Sequence, residues 1–177
     1  MSASAITSLA LLNAASSDDA QTWFMQTCTA EKWCAKMVKQ RPFLNFSALI
    51  TAAGEQWHEM TTLDFIQAFT GHPMIGDLST LRQKFASTKA IASNEQSGTQ
   101  SATEVTLQNL QKMNHEYVNK HGFIFIICAS GLSAAAMLNE LKLRIHNSTG
   151  AEIEKAAQEQ IKITLLRINK AFDDATA

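Results

Sequence analysis

Proline and glycine are scarce in this chain, with 2 and 7 residues among 177, which excludes collagen-like repeats and Pro/Gly-rich low-complexity segments. An excess of one charge sign is also lacking. The net charge is −1 at pH 7, so no positive field gathers phosphates, and nucleic-acid binding is not expected as the main function. With 46% hydrophobic residues, the composition is globular and excludes wholesale disorder. The length fits one domain, residues 1–177.

Cysteines and long apolar runs are also few. The three cysteines cannot all pair and none lies in CxxC spacing, which favours a reduced, cytoplasmic compartment. The apolar run at residues 123–129 is far shorter than the ~20 residues that cross a bilayer, so no membrane association is expected. The N-terminal segment has no basic residue before Lys32, and it therefore predicts a first helix rather than a secretory signal.

Helical spacing is the dominant pattern. It predicts an all-α, single compact domain of about eight or nine helices. Thr29 is expected to cap the third helix, Asn45 the fourth and Thr61 or Thr62 the fifth, and Gly71 is expected to end the fifth helix as a C′ glycine.

Two long helices are expected in the C-terminal half, at residues 102–119 and 151–172. Between them, residues 123–128 have the composition of a strand, but no second convincing strand exists to pair with them. We therefore expect an extended buried segment or a short helix start there rather than a sheet. The predicted core positions of the two helices are Val105, Leu110, Met113 and Tyr117, and Ile161, Leu165, Ile168 and Phe172.

Metal-binding motifs are incomplete. His58-Glu59 and His115-Glu116 each begin an HExxH pattern, but Thr62 and Asn119 occupy the places of the second histidine. Nucleotide-binding loops and the GxSxG nucleophile motif are also missing. No metal site is predicted.

Three residues remain as candidates for chemistry, and each also has an ordinary explanation. His72 follows a helix end and precedes proline, so it either faces a cleft or is a loop histidine bonded to main chain. Glu95 lies in the polar stretch 87–103, as a functional group or as a helix-capping acid. Arg167 has no acidic helical neighbour, so it is either reserved for a carboxylate or a polar ring, or it is a surface arginine.

Several motifs occur in a specific order over most of the chain, from about residue 11 to residue 172. They are RPF at 41–43, GHPxIG at 71–76, EQ at 95–96, NxxYxxKxGF at 114–123, FIICA at 125–129 and ITLLR at 163–167. In this order and spacing the chain resembles the OHCU decarboxylases, enzymes of uric acid degradation in purine metabolism. OHCU is 2-oxo-4-hydroxy-4-carboxy-5-ureidoimidazoline.

The resemblance implies a cofactor-free carboxy-lyase that converts OHCU into (S)-allantoin and CO2, and a homodimer. It also implies that His72 is the catalytic histidine, with Glu95 and Arg167 as its catalytic partners. The remaining residues implied to bind the substrate, besides Glu95 and Arg167, are Pro73, Ala92, Ser93, Gln96, Ile127, Cys128 and Ala129.

The chain departs from the family pattern at two positions. Family members usually carry serine where this chain has Ala92, so either Ser93 supplies that hydrogen bond or the substrate lacks it. The residue after His-Pro is often basic in the family, and here it is Met74. The alternative to an enzyme is a non-enzymatic helical binding or adaptor domain, which predicts that His72, Glu95 and Arg167 lie far apart.

Overall fold

The computed structural model describes residues 6–74 and 98–173 of the chain. These residues form eight α-helices and no strand, which confirms the predicted all-α class and helix count. In chain order the helices are α1 Leu9–Ala14, α2 Ser17–Thr27, α3 Glu31–Lys39, α4 Phe46–His58, α5 Thr62–Thr70, α6 Gly98–His121, α7 Ala134–Arg144 and α8 Thr149–Asp173. None of the helices in this described part is long and apolar enough to cross a membrane.

Residue contacts group the chain into two compact units. The first unit contains Met1–Gly71 and Ala157–Ala177, and the second contains His72–Ala156. Helix α8 therefore begins in the second unit and ends in the first. The expectation of one domain over residues 1–177 stays a prediction.

The core of the first unit lies where α3 packs against α2, α4 and α5. Trp33 on α3 is fully buried, meets the Phe24 ring edge-on at 5.7 Å, and donates its indole N–H to the Ala53 carbonyl at 3.1 Å. At the end of α8, the Phe172 ring stacks on Trp23 with 5.3 Å between ring centroids. These aromatic contacts fix α2, α3, α4 and the end of α8 in one apolar core.

Two predicted N-caps of this unit are confirmed. The Asn45 side chain accepts a hydrogen bond from the Ala48 N–H at 2.9 Å, and Thr61 forms a capping box with Asp64 at the start of α5. Both caps satisfy N–H groups that a helix leaves unpaired in its first turn. The predicted cap at Thr29 is wrong: the N-cap of α3 is Ala30, without a side-chain bond.

In the second unit, α6 packs against α7, and residues 124–129 between them form no regular structure. Phe123, Phe125, Ile126 and Ile127 are buried, which agrees with a buried segment outside any sheet. On α6, Leu110 and Tyr117 are fully buried as predicted, whereas Met113 is half-buried. The prediction for Val105 is wrong, because 55% of this residue is exposed and Leu107 is buried instead.

The buried face of α8 differs from the predicted apolar stripe. Ile168 is fully buried, but Ile161, Leu165 and Phe172 are only half-buried. The fully buried positions one and two turns before Ile168 are polar, Thr164 and Gln160, and the Gln160 amide donates to the Thr164 hydroxyl at 3.1 Å. This i, i+4 pair satisfies two side chains that apolar periodicity alone assigns to the surface.

Candidate functional site

His72 is positioned by the C-terminal end of α5. The helix ends at Thr70, as predicted, and Gly71 follows with φ −75°, so this glycine is not the left-handed C′ residue that was expected. It is required for space instead. A Cβ at Gly71 would lie 2.4 Å from Oγ1 of Thr29, a separation that real structures do not show. His72 comes next and is half-buried, while Pro73 is exposed.

Thr29 holds this end of α5 directly. Its hydroxyl lies 3.1 Å from the Gln67 carbonyl and 3.2 Å from the Ala68 carbonyl, two acceptors in the last turn of α5. The Gln67 side chain in turn accepts the Glu31 N–H at 3.0 Å. The connection between α2 and α3, residues 27–31, therefore satisfies polar groups at the end of the helix that leads into His72.

Arg167 contacts the same connection from α8. Its Nη1 donates to the Thr27 carbonyl at 3.0 Å, at the last residue of α2. The side chain is half-buried, and its bond to Thr27 joins it to a main-chain acceptor on another helix. Cys28, the residue after Thr27, is buried, and burial raises the pKa of its thiol to about 11. Cys28 therefore remains a neutral thiol near pH 7 and is not a nucleophile there.

Within the first unit, residues at or beside the α2–α3 connection contact both Arg167 and Gly71. Thr27 meets Arg167, and two residues later Thr29 meets Gly71, directly before His72. A guanidinium and the backbone that leads into a histidine are thus anchored to the same few residues. Glu95 lies outside the described residues, as do Ala92, Ser93 and Gln96, so the predicted convergence of His72, Glu95 and Arg167 stays a prediction.

The predicted substrate-binding main chain lies in the second unit. Ile127 is buried, and Cys128 and Ala129 are half-buried. The segment ends in a turn in which the Ala129 carbonyl accepts the Leu132 N–H at 3.2 Å, and Gly131 adopts φ +75° in this turn. A positive φ of this size favours glycine, because an L side chain is strained there.

Sequence reasoning missed the residues that hold these elements in place. Thr29 was read as a local cap, and Thr27, Arg144 and Glu152 were not singled out. The partners of Thr27 and Thr29 are distant in sequence. Arg144 and Glu152 lie at helix ends, where charges of these signs are common, so neither residue stands out in the sequence. Among the described residues, no group of three or more His, Cys, Asp or Glu side chains could hold a metal ion.

Comparison with known proteins gives a consistent result. The family model described as OHCU decarboxylase matches residues 13–169. The uric acid degradation bifunctional protein TTL of Arabidopsis thaliana is 37% identical over 149 residues, which are 83% of this chain and 45% of that protein. The uric acid degradation bifunctional protein of Bacillus sp. (strain TB-90) is 24% identical over 79% of this chain and 27% of its own length. The chain thus spans less than half the length of these two relatives.

Solved structures agree. A crystal structure of OHCU decarboxylase in the presence of (S)-allantoin is 34% identical, with a TM-score of 0.67 over 86% of this chain and 98% of that one. A crystal structure of (S)-allantoin synthase, at 15% identity and the same TM-score over 94% of this chain and 54% of that one, shows the shared fold alone. With the family model matching most of its length, the chain belongs to the OHCU decarboxylase family.

Proposed function

We propose that this chain is a carboxy-lyase that decarboxylates OHCU to (S)-allantoin and CO2 in uric acid degradation. The observation that carries the proposal is the family match over residues 13–169, together with 34% identity to an OHCU decarboxylase structure over nearly all of that chain. The anchoring of Arg167 and of the backbone before His72 on one connection supports it geometrically. Nothing in the comparisons favours the alternative of a non-enzymatic adaptor domain.

The substrate itself accounts for much of the chemistry. When the bond from C4 to the carboxylate breaks, its electron pair forms a C4=C5 double bond, and the pair of the C5=N bond moves to the nitrogen, which takes a proton. The C4 hydroxyl then loses its proton to become a carbonyl, and C5 gains a proton on one face. The imine thus serves as the electron sink. The protein must orient the carboxylate and manage these proton transfers.

His72, Glu95 and Arg167 are the residues to which we assign this work. A histidine is suited to moving protons near neutral pH, because its ordinary pKa is about 6.5. Glu95 orients the imidazole or binds the ureido N–H groups. Arg167 binds the carboxylate or a developing oxyanion, and its bond to the Thr27 carbonyl orients the guanidinium.

The remaining predicted residues hold the ring. Pro73 and Gln96 border it, and the main chain of residues 127–129, which lies outside any helix, contacts it with N–H and C=O groups. This chain has Ala92 at the position where the family carries serine. The hydrogen bond of that serine to the substrate is made by Ser93 here, or it is not made.

The proposal extends to the cofactor, the assembly and the compartment. The reaction runs without a metal or organic cofactor, the protein is a homodimer, and it works in the cytoplasm, where its three cysteines stay reduced. Turnover that survives dialysis against a chelator, and a mass by light scattering of twice 19.4 kDa, are the expected results. Activity that returns only on adding a metal ion would contradict the first of these.

The decisive experiment replaces His72. His72→Asn should lower kcat on OHCU by at least about 10²-fold, since a positioned acid–base group contributes about 10²–10⁴-fold. OHCU also decays without enzyme and without preference for one face, so the enantiomeric excess of the allantoin must be followed with the rate. His115→Asn, at an exposed position on α6, is the matched control. Wild-type rate and enantiomeric excess in His72→Asn would remove the histidine from the mechanism.

A further inference from the structure

Three polar side chains of the second unit, two of them buried, converge on the buried carboxylate of Glu152. The Tyr117 hydroxyl donates to Oε2 at 2.5 Å, Arg144 Nε donates to the same oxygen at 3.0 Å, and the Asn147 amide donates to Oε1 at 2.7 Å. Glu152 is 0% exposed and Arg144 is 4% exposed. Burial opposes ionisation of Glu152, but these hydrogen bonds outweigh it and hold the pKa of the carboxyl below its usual value. The pair is therefore ionic at neutral pH.

The other end of the Arg144 guanidinium reaches the main chain. Nη1 donates to the Ile126 carbonyl at 2.8 Å, and the guanidinium carbon lies 4.4 Å from the centre of the Phe125 ring. Ile126 directly precedes residues 127–129, the predicted substrate-binding main chain. Arg144 thus connects a fixed carboxylate on α8 to the backbone next to the proposed site.

The same network explains a motif that catalysis leaves unexplained. In NxxYxxKxGF, the Tyr117 ring packs edge-on against Phe123 and Phe125 at 5.7 and 5.2 Å, and Lys120 donates to the Ile145 carbonyl just past the end of α7 at 2.6 Å. Gly122 adopts φ +80°, which turns the chain out of α6 into the segment. Tyr117 of the motif therefore holds Phe123 and Phe125 against α6, and Lys120 ties the end of α6 to the residue after α7.

Stability alone is a weak reason for such a pair. The desolvation of two buried charges largely cancels their attraction, and well-packed apolar replacements are often neutral or stabilising. An apolar pair, however, has no donor for the Ile126 carbonyl. The feature that only the ionic pair supplies is a fixed position for that carbonyl.

We propose that Arg144 and Glu152 are positioning residues that hold the main chain of residues 127–129 in the geometry that binds the substrate ring. The identity of the substrate rests on the proposed function, whereas the positioning of the segment does not. Neither residue touches the reacting atoms in this account. Both act through the Ile126 carbonyl.

The test replaces both charges at once with Arg144→Met/Glu152→Leu, which leaves no unpaired buried charge. Its control, Lys112→Gln/Glu116→Gln, removes an exposed ion pair from the same unit. The first measurement is amide hydrogen exchange in the absence of substrate. The expected result is faster exchange at residues 123–132 in the first variant, with the other segments and the control unchanged. Unchanged exchange at residues 123–132 in a folded variant would overturn the proposal, whatever the protein catalyses.

The second measurement is turnover of OHCU. Displacing a substrate contact by about 1 Å can cost about 10²-fold, so kcat/KM should fall by about that factor, mainly through KM, and the enantiomeric excess should fall with it. A wild-type protein that fails to turn over OHCU would reject the proposed function, and the exchange measurement would still decide the positioning. A folded variant with wild-type KM and enantiomeric excess would reject the link between segment and substrate.

A milder variant covers the case in which the double replacement does not fold. Tyr117→Phe removes one hydrogen bond to the Glu152 carboxylate and keeps the ring contacts with Phe123 and Phe125. It should raise exchange at residues 123–132 and lower the enantiomeric excess, each to a smaller extent. If it lowers only the melting temperature and leaves both readouts at wild-type values, the network is structural and the proposal fails.

Discussion

The two arginines that occupy key places in this fold use their charge differently. Arg144 in the second unit is buried and bonded to the carboxylate of Glu152, whereas Arg167 in the first unit is half-buried and bonded to the neutral carbonyl of Thr27. The first guanidinium is neutralised inside the protein. The bond to Thr27 orients the second guanidinium through a neutral main-chain acceptor.

The different partners of the two arginines indicate two different roles, which the amino-acid composition alone does not distinguish. A buried, carboxylate-paired arginine organises main chain, here the Ile126 carbonyl. Arg167 is oriented by a main-chain carbonyl, and under the proposed function its charge acts on the anionic substrate. The same substitution at the two positions should therefore affect different properties of the protein.

The largest effect on stability is expected for Arg144→Met. It leaves the Glu152 carboxylate buried and unpaired, and breaking a buried pair in this way costs about 3–5 kcal/mol of the free energy of unfolding. Chemical denaturation with circular dichroism measures it. A loss below about 1 kcal/mol would show that Arg144 is not the partner that keeps Glu152 ionised, and Arg144 would then not differ from Arg167 in this respect.

Arg167→Met should reverse the pattern. Removing one group that stabilises developing charge costs about 10²–10³-fold in kcat. The lost bond to the half-buried guanidinium should cost about 2 kcal/mol of unfolding free energy or less. Steady-state kinetics on OHCU and denaturation of the same preparation separate the two quantities. If Arg167→Met is active but strongly destabilised, Arg167 stabilises the fold, as Arg144 does, and does not act on the substrate.

The sequence predicted those parts of the fold that depend on neighbouring residues. Asn45 and Thr61 were recognised as caps because their partners lie three residues away. Thr29 was misread for the opposite reason: its hydroxyl bonds carbonyls near residue 67, and a threonine before a helix looks like a local cap. On α8, the buried Thr164 was missed because its partner, Gln160, is also polar.

The candidate site was identified by the order of its motifs rather than by periodicity. His72 and Arg167 each have an ordinary local explanation, and only their combination with the other motifs pointed to a decarboxylase. Arg144 and Glu152 carried no signal at all. A cation in the last turn of one helix and an acid in the first turn of the next are what the helix dipole favours anywhere, so their pairing is visible only in three dimensions.

A smaller effect is expected for Gly71→Ala, which tests the close approach of Thr29 to the residue before His72. The added Cβ would lie 2.4 Å from Thr29 Oγ1 and 2.5 Å from its Cγ2, so one side must move, at a cost of about 1–3 kcal/mol. Turnover should fall because His72 shifts with the backbone. The matched control is Gly54→Ala on α4, where nothing lies within 4 Å, and this variant should be stabilised by up to about 1 kcal/mol.

A double-mutant cycle identifies the source of that cost. In a Thr29→Ala background the contacts at 2.4 and 2.5 Å are gone, so Gly71→Ala should be less destabilising there than in the wild type. Equal costs in the two backgrounds would mean that Gly71 is needed for a reason other than the approach of Thr29.

The smallest expected effect is the acid sensitivity of the Arg144–Glu152 pair. Burial works against the charged carboxyl, but the bonds from Tyr117, Arg144 and Asn147 prevail and place the pKa of Glu152 below its usual value of 4.5. As the pH falls below about 4.5, the unfolded chain takes up this proton before the folded chain does, so stability present above that pH is lost as the folded-state pKa is approached. Arg144→Met/Glu152→Leu should therefore show a shallower loss of unfolding free energy on acidification.

Asp64 also titrates in this range, because bonds from Thr61 and Lys32 outweigh its burial and lower its pKa. It is present in both proteins, so its contribution cancels when their curves are compared. Parallel curves for the two proteins would show that the pKa of Glu152 is the same in the folded and the unfolded chain. A steeper loss in the variant than in the wild type would show that folding raises this pKa, so that the carboxyl pairs with Arg144 in its neutral form.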